Sequence, residues 1–421
     1  MSRSTSEPRE PHTVVLGGGI VGLSTAYFLA KRGAGVTVIE RNSVGVGASS
    51  GNAGIIALGH PPLPRPGLPG RLVRLVLDRS SPLFIPPRLD PWLLAWTISF
   101  LRACSSATYE RSLAFLAGLG WKAGECIREI VESEKIECEY HRRGWLEVFR
   151  TSHGMEEGRV TAGKLIRHGY DVEEMTGGQL REREPAYGEE VVGALHYTDS
   201  AFADPEKFVI ALADRASKNG ARALFETEAR RLIVEGGRFR SVELSDGGRV
   251  EGDRVVLAAG SWTTPLAAAA GIRMPMQPGK GYHIDLSGVP VRPSTTSVLA
   301  ETFVAVTPLE RGLRLAGTIE LSGLDLRISR DRLERLIGGA RAYLRGIDGA
   351  EVASEWCGLR PLTADGLPAI GWAKGAEGVF IATGHAMMGF LLGPLTGMLA
   401  SEIILDGGPS LEIGPLRADR F

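Results

Sequence analysis

Residues 13–16 (T-V-V-L) are an apolar run of the kind that forms a strand buried on both faces. They lead directly into Gly17-Gly-Gly-Ile-Val-Gly22 and then into a stretch where Ile20, Leu23, Tyr27 and Ala30 recur at helical spacing. Gly33 and Gly35 end that helix, and residues 36–40 read as a second strand closing on an acid, Glu40. A β–α–β unit with G-x-G-x-x-G at its first turn binds a dinucleotide for physical reasons. Gly17 permits the tight turn, Gly19 lets the backbone approach a pyrophosphate, and Gly22 lets helix and strand pack closely. The helix start, with Ile20 and Val21, offers unpaired N–H groups and a partial positive charge to the phosphates. Glu40 is placed to accept hydrogen bonds from a ribose.

Composition narrows the partners. The chain has 421 residues, 48 basic against 49 acidic side chains, and a formal charge of −1, so it lacks the basic excess of a nucleic-acid binder. Its 55 glycines mark turns and close backbone approaches, since no collagen-like period organises them. Cys104, Cys126, Cys138 and Cys357 form no C-x-x-C pair and no metal-ligand spacing with the eight histidines. Reduced thiols in a cytoplasmic protein without a bound metal are the expectation. Residues 1–12 are polar and carry both charge signs, unlike a signal peptide. The apolar stretch 91–101 is too short to span a bilayer. It reads as a buried helix, with peripheral contact on the inner membrane face as the alternative.

Further along, residues 61–101 are proline-rich, and helical patterning runs from 91 to about 137. This block reads as an insertion that leaves the nucleotide unit and builds another. Asp204 and Pro205 mark a helix start. Residues 254–259 form a strand ending at Gly260, and residues 378–383 form another, followed by a glycine turn and a long helix to about 405.

A dinucleotide leaves NAD and FAD open. The terminal position of the motif favours FAD, as do Arg41 after Glu40 and the small, hydroxyl-bearing segment Gly45-Val-Gly-Ala-Ser-Ser-Gly-Asn-Ala-Gly54. A second helix start after Thr383-Gly-His-Ala-Met-Met-Gly389 also favours it, since such an end stabilises an anionic reduced ring.

Taken together, the segments G-G-G-I-V-G-L-S (17–24), G-A-S-S-G-N-A-G (47–54), D-P-E-K-F (204–208), V-V-L-A-A-G-S-W (255–262), G-K-G-Y (279–282), W-C-G-L-R-P-L-T-A-D-G (356–366) and T-G-H-A-M-M-G (383–389) resemble the D-amino-acid oxidase superfamily. They are most similar to its bacterial D-amino-acid dehydrogenase branch. The resemblance covers most of the chain and is loose over 61–200. It implies an α/β architecture: a Rossmann-like FAD-binding domain (1–60, 198–275 and 351–421) interleaved with an antiparallel-sheet-plus-helices substrate domain (61–197 and 276–350).

It also implies site roles. Ala48 and Ser49 would lie by the pyrophosphate, and Asn52, Ala53 and Gly54 near the ribityl chain or ring. Ala229, Ala259, Gly260, Gly384, His385, Met387 and Gly389 would complete the FAD site. Arg360, after W-x-G-x, would grip the substrate carboxylate with two parallel hydrogen bonds. Tyr282 would add a hydroxyl to carboxylate or amine, with packing at the domain seam as the alternative. His385 would face the flavin.

Sarcosine-oxidase-type relatives carry a flavin-linking cysteine where this chain has Gly358. Cys357 is one residue off and points the other way on a strand, so non-covalent FAD is expected. Ala364 departs from the proline common in dehydrogenase relatives, a change in loop stiffness. The implied activity is oxidative deamination of D-amino acids to 2-oxo acids, by hydride transfer from the α-carbon to flavin N5, with electrons passed to a quinone or another non-oxygen acceptor. Two alternatives stand: oxidation of secondary amines (sarcosine, glycine, D-proline, hydroxy-D-proline), and a flavin subunit of a larger electron-transfer complex.

Overall fold

The computed structural model describes residues 11–70, 81–86 and 89–421. Two sheets organise the chain. The first has six strands in the order Ala369–Trp372, Val379–Thr383, Arg254–Leu257, His12–Leu16, Gly35–Ile39, Arg222–Leu224. All its pairings are parallel except that of the first two strands. Parallel strands need covered faces, and these are almost entirely apolar: Val14, Val15, Val255, Val256 and Phe380 are fully buried.

Helix Ile20–Lys31 covers one face, packed against Gly389–Asp406 and Pro205–Lys218. The Asp204 carboxylate caps the last of these by accepting from the N–H groups of Glu206 and Lys207. By length and hydropathy Gly389–Asp406 could cross a membrane, but most of it is buried in this core. On the other face packs the three-stranded antiparallel unit Ala229–Glu235, Arg238–Leu244 and Arg249–Glu251.

The second sheet is nine-stranded and mostly antiparallel, with strands drawn from 83–84, 145–197 and 276–363. Its spine is Met276–Ser287 between Gly312–Glu320 and Glu351–Thr363. Strand Glu351–Thr363 pairs with Met276–Ser287 from end to end, so the chain changes sheets after Thr363 and not at the expected boundary of 350.

Two further expectations meet the structure differently. Helix Ser106–Ser133 packs against Gly389–Asp406 and shares the first unit's core through Leu113, Leu116, Ala123 and Ile127. The insertion therefore builds onto the nucleotide unit as well as leaving it. Helix Pro91–Ala103 buries one face only: Leu93, Trp96 and Phe100 are inside, while Trp92, Leu94 and Ile98 are exposed. Parts of the proline-rich stretch, 71–80 and 87–88, lie outside the described residues.

The crossing of helices Gly389–Asp406 and Ile20–Lys31 depends on Gly397, where a Cβ would lie 2.4–2.6 Å from the backbone and Cβ of Ser24 and the nitrogen of Thr25. Gly397→Ala should cost about 1–3 kcal/mol by forcing the two helices apart, despite alanine's better helix propensity. Urea denaturation reads this; an unchanged or higher midpoint would show that the contact relaxes freely.

Candidate active site

The carboxyl ends of four parallel strands, at Leu16, Ile39, Leu257–Ala258 and Ala382–Thr383, face the strand Glu351–Thr363 across a cavity of about 610 Å³. Ligands of open α/β sheets bind at this edge. One end of the cavity is built by the first turn. Gly17 has φ +112°, and a Cβ there would lie 2.5 Å from the Ala258 carbonyl. Helix Ile20–Lys31 begins at Gly19 with no side-chain cap of that residue's own. Ser49 Oγ accepts instead from Ile20 N–H at 2.9 Å, bringing the segment 45–52 alongside the helix start. The Glu40 carboxylate accepts from Gly18 N–H at 2.7 Å and Asn42 N–H at 2.9 Å, one oxygen each, and keeps lone pairs toward the cavity. The Arg41 guanidinium stacks 3.8 Å above the Trp262 ring. This glycine-lined helix start, with a serine hydroxyl on its first N–H and an anchored carboxylate beside it, fits the ADP half of FAD.

The other end is built by the second sheet and the C-terminal turn. Arg360, Trp356, Leu359 and Pro361 meet His385, Ala386, Met387, Gly389 and Phe390 there. Arg360 lies directly over Gly281, where a Cβ would fall 1.8 Å from a guanidinium nitrogen. Its Nη1 donates to the Thr318 carbonyl at 3.0 Å, and Thr318 takes φ +67°, a strained conformation for a β-branched residue. No carboxylate among the described residues pairs with Arg360. Burial lowers its pKa to about 10, which leaves it cationic at neutral pH. His385 is buried and shares a hydrogen bond with Thr396 Oγ1 at 2.8 Å; burial lowers its pKa to about 3, so it is neutral.

Most of the residues singled out in the sequence line this one cavity: Gly17, Gly19, Ile20, Val21, Glu40, Arg41, Ala48, Ser49, Asn52, Ala229, Ala259, Gly260, His385, Met387, Gly389 and Arg360. Five are placed elsewhere. Gly22 packs on Gly17, where its Cβ would lie 1.9 Å from the carbonyl oxygen. Gly54 packs on the Ala203 carbonyl, and Gly384 packs on Thr363. The Ala53 carbonyl accepts from Thr307. Tyr282 is buried in the second sheet's own core, its hydroxyl 3.3 Å from Glu320 Oε2. It packs, but inside that core and not at the domain seam, and period 2 explains it: Tyr282 lies opposite Cys357, whereas Gly281 lies opposite Gly358 and Gly279 opposite Arg360. Cys357 packs against that same core and its thiol meets the Leu326 carbonyl, away from the cavity.

Sequence reading missed Thr227, Arg230, Ser245 and Pro265 at the adenosine end, where no motif marks them, and gave Trp356 no role. The asparagine amide of Asn52 is spent locally, donating to the Ser49 carbonyl at 2.6 Å while its oxygen accepts from Gly54 N–H at 2.7 Å.

Comparison with known proteins agrees with this geometry. Residues 12–403 match the DAO family, described as FAD dependent oxidoreductase. The D-amino acid dehydrogenase of Cereibacter sphaeroides is 31% identical over 415 residues, covering 97% of this chain and 95% of that protein. That of Bradyrhizobium diazoefficiens is 31% identical over 420 residues, covering 97% and 98%. Among solved structures, glycine oxidase from Geobacillus kaustophilus superposes with a TM-score of 0.77 at 23% identity, covering 98% of this chain and 99% of that one. L-proline dehydrogenase from P. horikoshii superposes with a TM-score of 0.73 at 21% identity, covering 99% and 98%. At these identities the two superpositions speak for the fold. With the family match spanning nearly the whole chain and a cradle shaped for its cofactor, the chain belongs to the DAO family of FAD-dependent oxidoreductases.

Proposed function

We propose that the protein oxidatively deaminates D-amino acids and passes the electrons to an acceptor other than oxygen, such as a quinone. The observation that carries this reading is Arg360: a cation in the cavity wall, seated on a glycine and a strained carbonyl, with no carboxylate of its own among the described residues. Holding an unpaired charge in such a place costs several kcal/mol. A substrate carboxylate offsets that cost through two parallel charge-assisted hydrogen bonds. The D-amino acid class is supported by the curated relatives, which match over nearly their full lengths.

Bound FAD supplies a two-electron acceptor. The chain's own groups do the rest by placement. Arg360 fixes the carboxylate and, through it, the direction of the α-carbon. The apolar walls at Leu359, Met387 and Phe390 exclude water, and the uncapped start of helix Gly389–Asp406 directs its partial positive charge into the cavity. When the amine is neutral, the α-carbon gives up its hydrogen with the bonding electron pair. The nitrogen loses a proton as the C=N bond forms, and water then replaces nitrogen to yield a 2-oxo acid and ammonia. No histidine is required as a base, and His385 is held neutral.

Anaerobic mixing of the FAD-loaded protein with a panel of amino acids tests the substrate class. D-amino acids should bleach the flavin band near ~450 nm, a general flavin property, and L-enantiomers should not. Reduction by sarcosine or proline alone would overturn the reading, as would hydrogen peroxide formed one for one with substrate when the same reaction is run in air.

A second expectation concerns pH. Because burial disfavours the His385 imidazolium, its folded pKa of about 3 leaves the ring neutral from pH 5 to 9. The pH profile of anaerobic flavin reduction should therefore show no inflection near about 6.5, the ordinary histidine value. An inflection there that His385→Asn removes would contradict it.

A further inference from the structure

Four consecutive carbonyls of the strip beside the cavity are each taken by a side chain of the second sheet. Arg314 Nη1 donates to the Ser50 carbonyl at 3.0 Å and to the Asn52 carbonyl at 2.9 Å. His283 Nδ1 lies 2.8 Å from the Gly51 carbonyl, and Thr307 Oγ1 donates to the Ala53 carbonyl at 2.6 Å. A carbonyl can only accept, so His283 carries its proton on Nδ1.

The donors sit on three neighbouring strands, with His283 on Met276–Ser287, Arg314 on Gly312–Glu320 and Thr307 on Val304–Leu309. They are in close register, His283 opposite Ala316 and Arg314 opposite Thr307. Arg314 is itself held rigidly. Its Nε and Nη2 donate to the two oxygens of Asp285 at 2.7 and 2.9 Å, which leaves Nη1 aimed at the strip. Asp285 also accepts from Arg311 and Ser354. His283 stacks on Trp356, ring centres 5.1 Å apart, and Trp356 lines the cavity over Gly51.

Ordinary seam packing does not need every carbonyl of one strip satisfied by side chains from another sheet. Such an arrangement fixes the strip's height and tilt to within hydrogen-bond tolerance. We propose that Arg314, His283 and Thr307 are positioning residues that clasp Ser50–Ala53, so that the strip's contact with the flavin is set by the sheet that also carries Arg360. This rests on the reading that Ala48, Ser49 and Asn52, which line the cavity within or beside the strip, border the cofactor. The clasp makes the flavin's affinity and absorption depend on residues that do not line its cavity.

Three variants, each reconstituted with FAD, test it. Arg314→Lys keeps the charge opposite Asp285 and loses the fork that reaches Ser50 and Asn52. Thr307→Val removes one donor at nearly constant volume, so it folds even where the first fails. Arg311→Met breaks ion pairs with Asp285 and Asp204 without touching the strip. FAD Kd should rise about tenfold in Arg314→Lys and about threefold in Thr307→Val, with the visible bands shifted in both. Arg311→Met should stay within about twofold of wild type in Kd, with unshifted bands, whatever it does to thermal stability. Wild-type Kd and spectrum in the first two variants, or equal changes in all three, would overturn the clasp. These titrations need no substrate. A wild-type protein that no D-amino acid bleaches would therefore sink the substrate assignment and leave the clasp to be decided by Kd and spectrum.

Discussion

The parallel pairing of His12–Leu16 with Gly35–Ile39 on one side and Arg254–Leu257 on the other is the constraint on which the remaining architecture depends. Parallel neighbours cannot be joined by a hairpin, so the chain must leave the sheet and return. It does so through a helix after the first strand, and through more than two hundred residues before Arg254. Part of that stretch, 83–84 and 145–197, joins 276–363 to make the second sheet. Because every strand of the first sheet but Ala369–Trp372 runs in the same direction, their carboxyl ends fall on one edge, and the second sheet closes over that edge. The cavity follows from connectivity before any particular side chain is considered.

Two arginines on the same face of the second sheet, Arg314 buried and Arg360 half-buried, show how that closure separates structure from chemistry. Arg314 has its guanidinium saturated by Asp285 and two carbonyls. Burial alone would raise the Asp285 pKa, but hydrogen bonding and charge from Arg314 lower it to about 2, so the pair stays ionised through the neutral range. Arg360 has one carbonyl partner and an open side toward the cavity. No carboxylate among the described residues balances this cation.

What was legible in the sequence is what backbone geometry forces onto residue type. Gly17 had to be glycine at φ +112°, Asp204 had to cap a helix, and the arginine of W-x-G-x-R sat in a recognisable run. Tyr282 was misleading because it closes a glycine-bearing run: G-K-G-Y reads as a site when Gly281 is the floor under Arg360 and the tyrosine faces the core. Strand alternation could have separated the two, had the strand's register been known. The adenosine-end residues Thr227, Arg230 and Ser245 come from irregular chain and a small hairpin with no spacing signal. The clasp on Ser50–Ala53 was invisible for a related reason: its donors stand 232 to 264 positions away in sequence.

The central claim is that Arg360 presents a carboxylate site next to the flavin. The most direct measurement is a spectral titration of the FAD-loaded protein with benzoate, a carboxylate that has no amine to oxidise. Wild type should show a saturable shift of the flavin bands, and Arg360→Lys should bind at least about tenfold more weakly, because a lysine cannot reproduce the bidentate grip. Equal affinity in the two proteins, with the same band shift, would contradict the claim and remove Arg360 from the site.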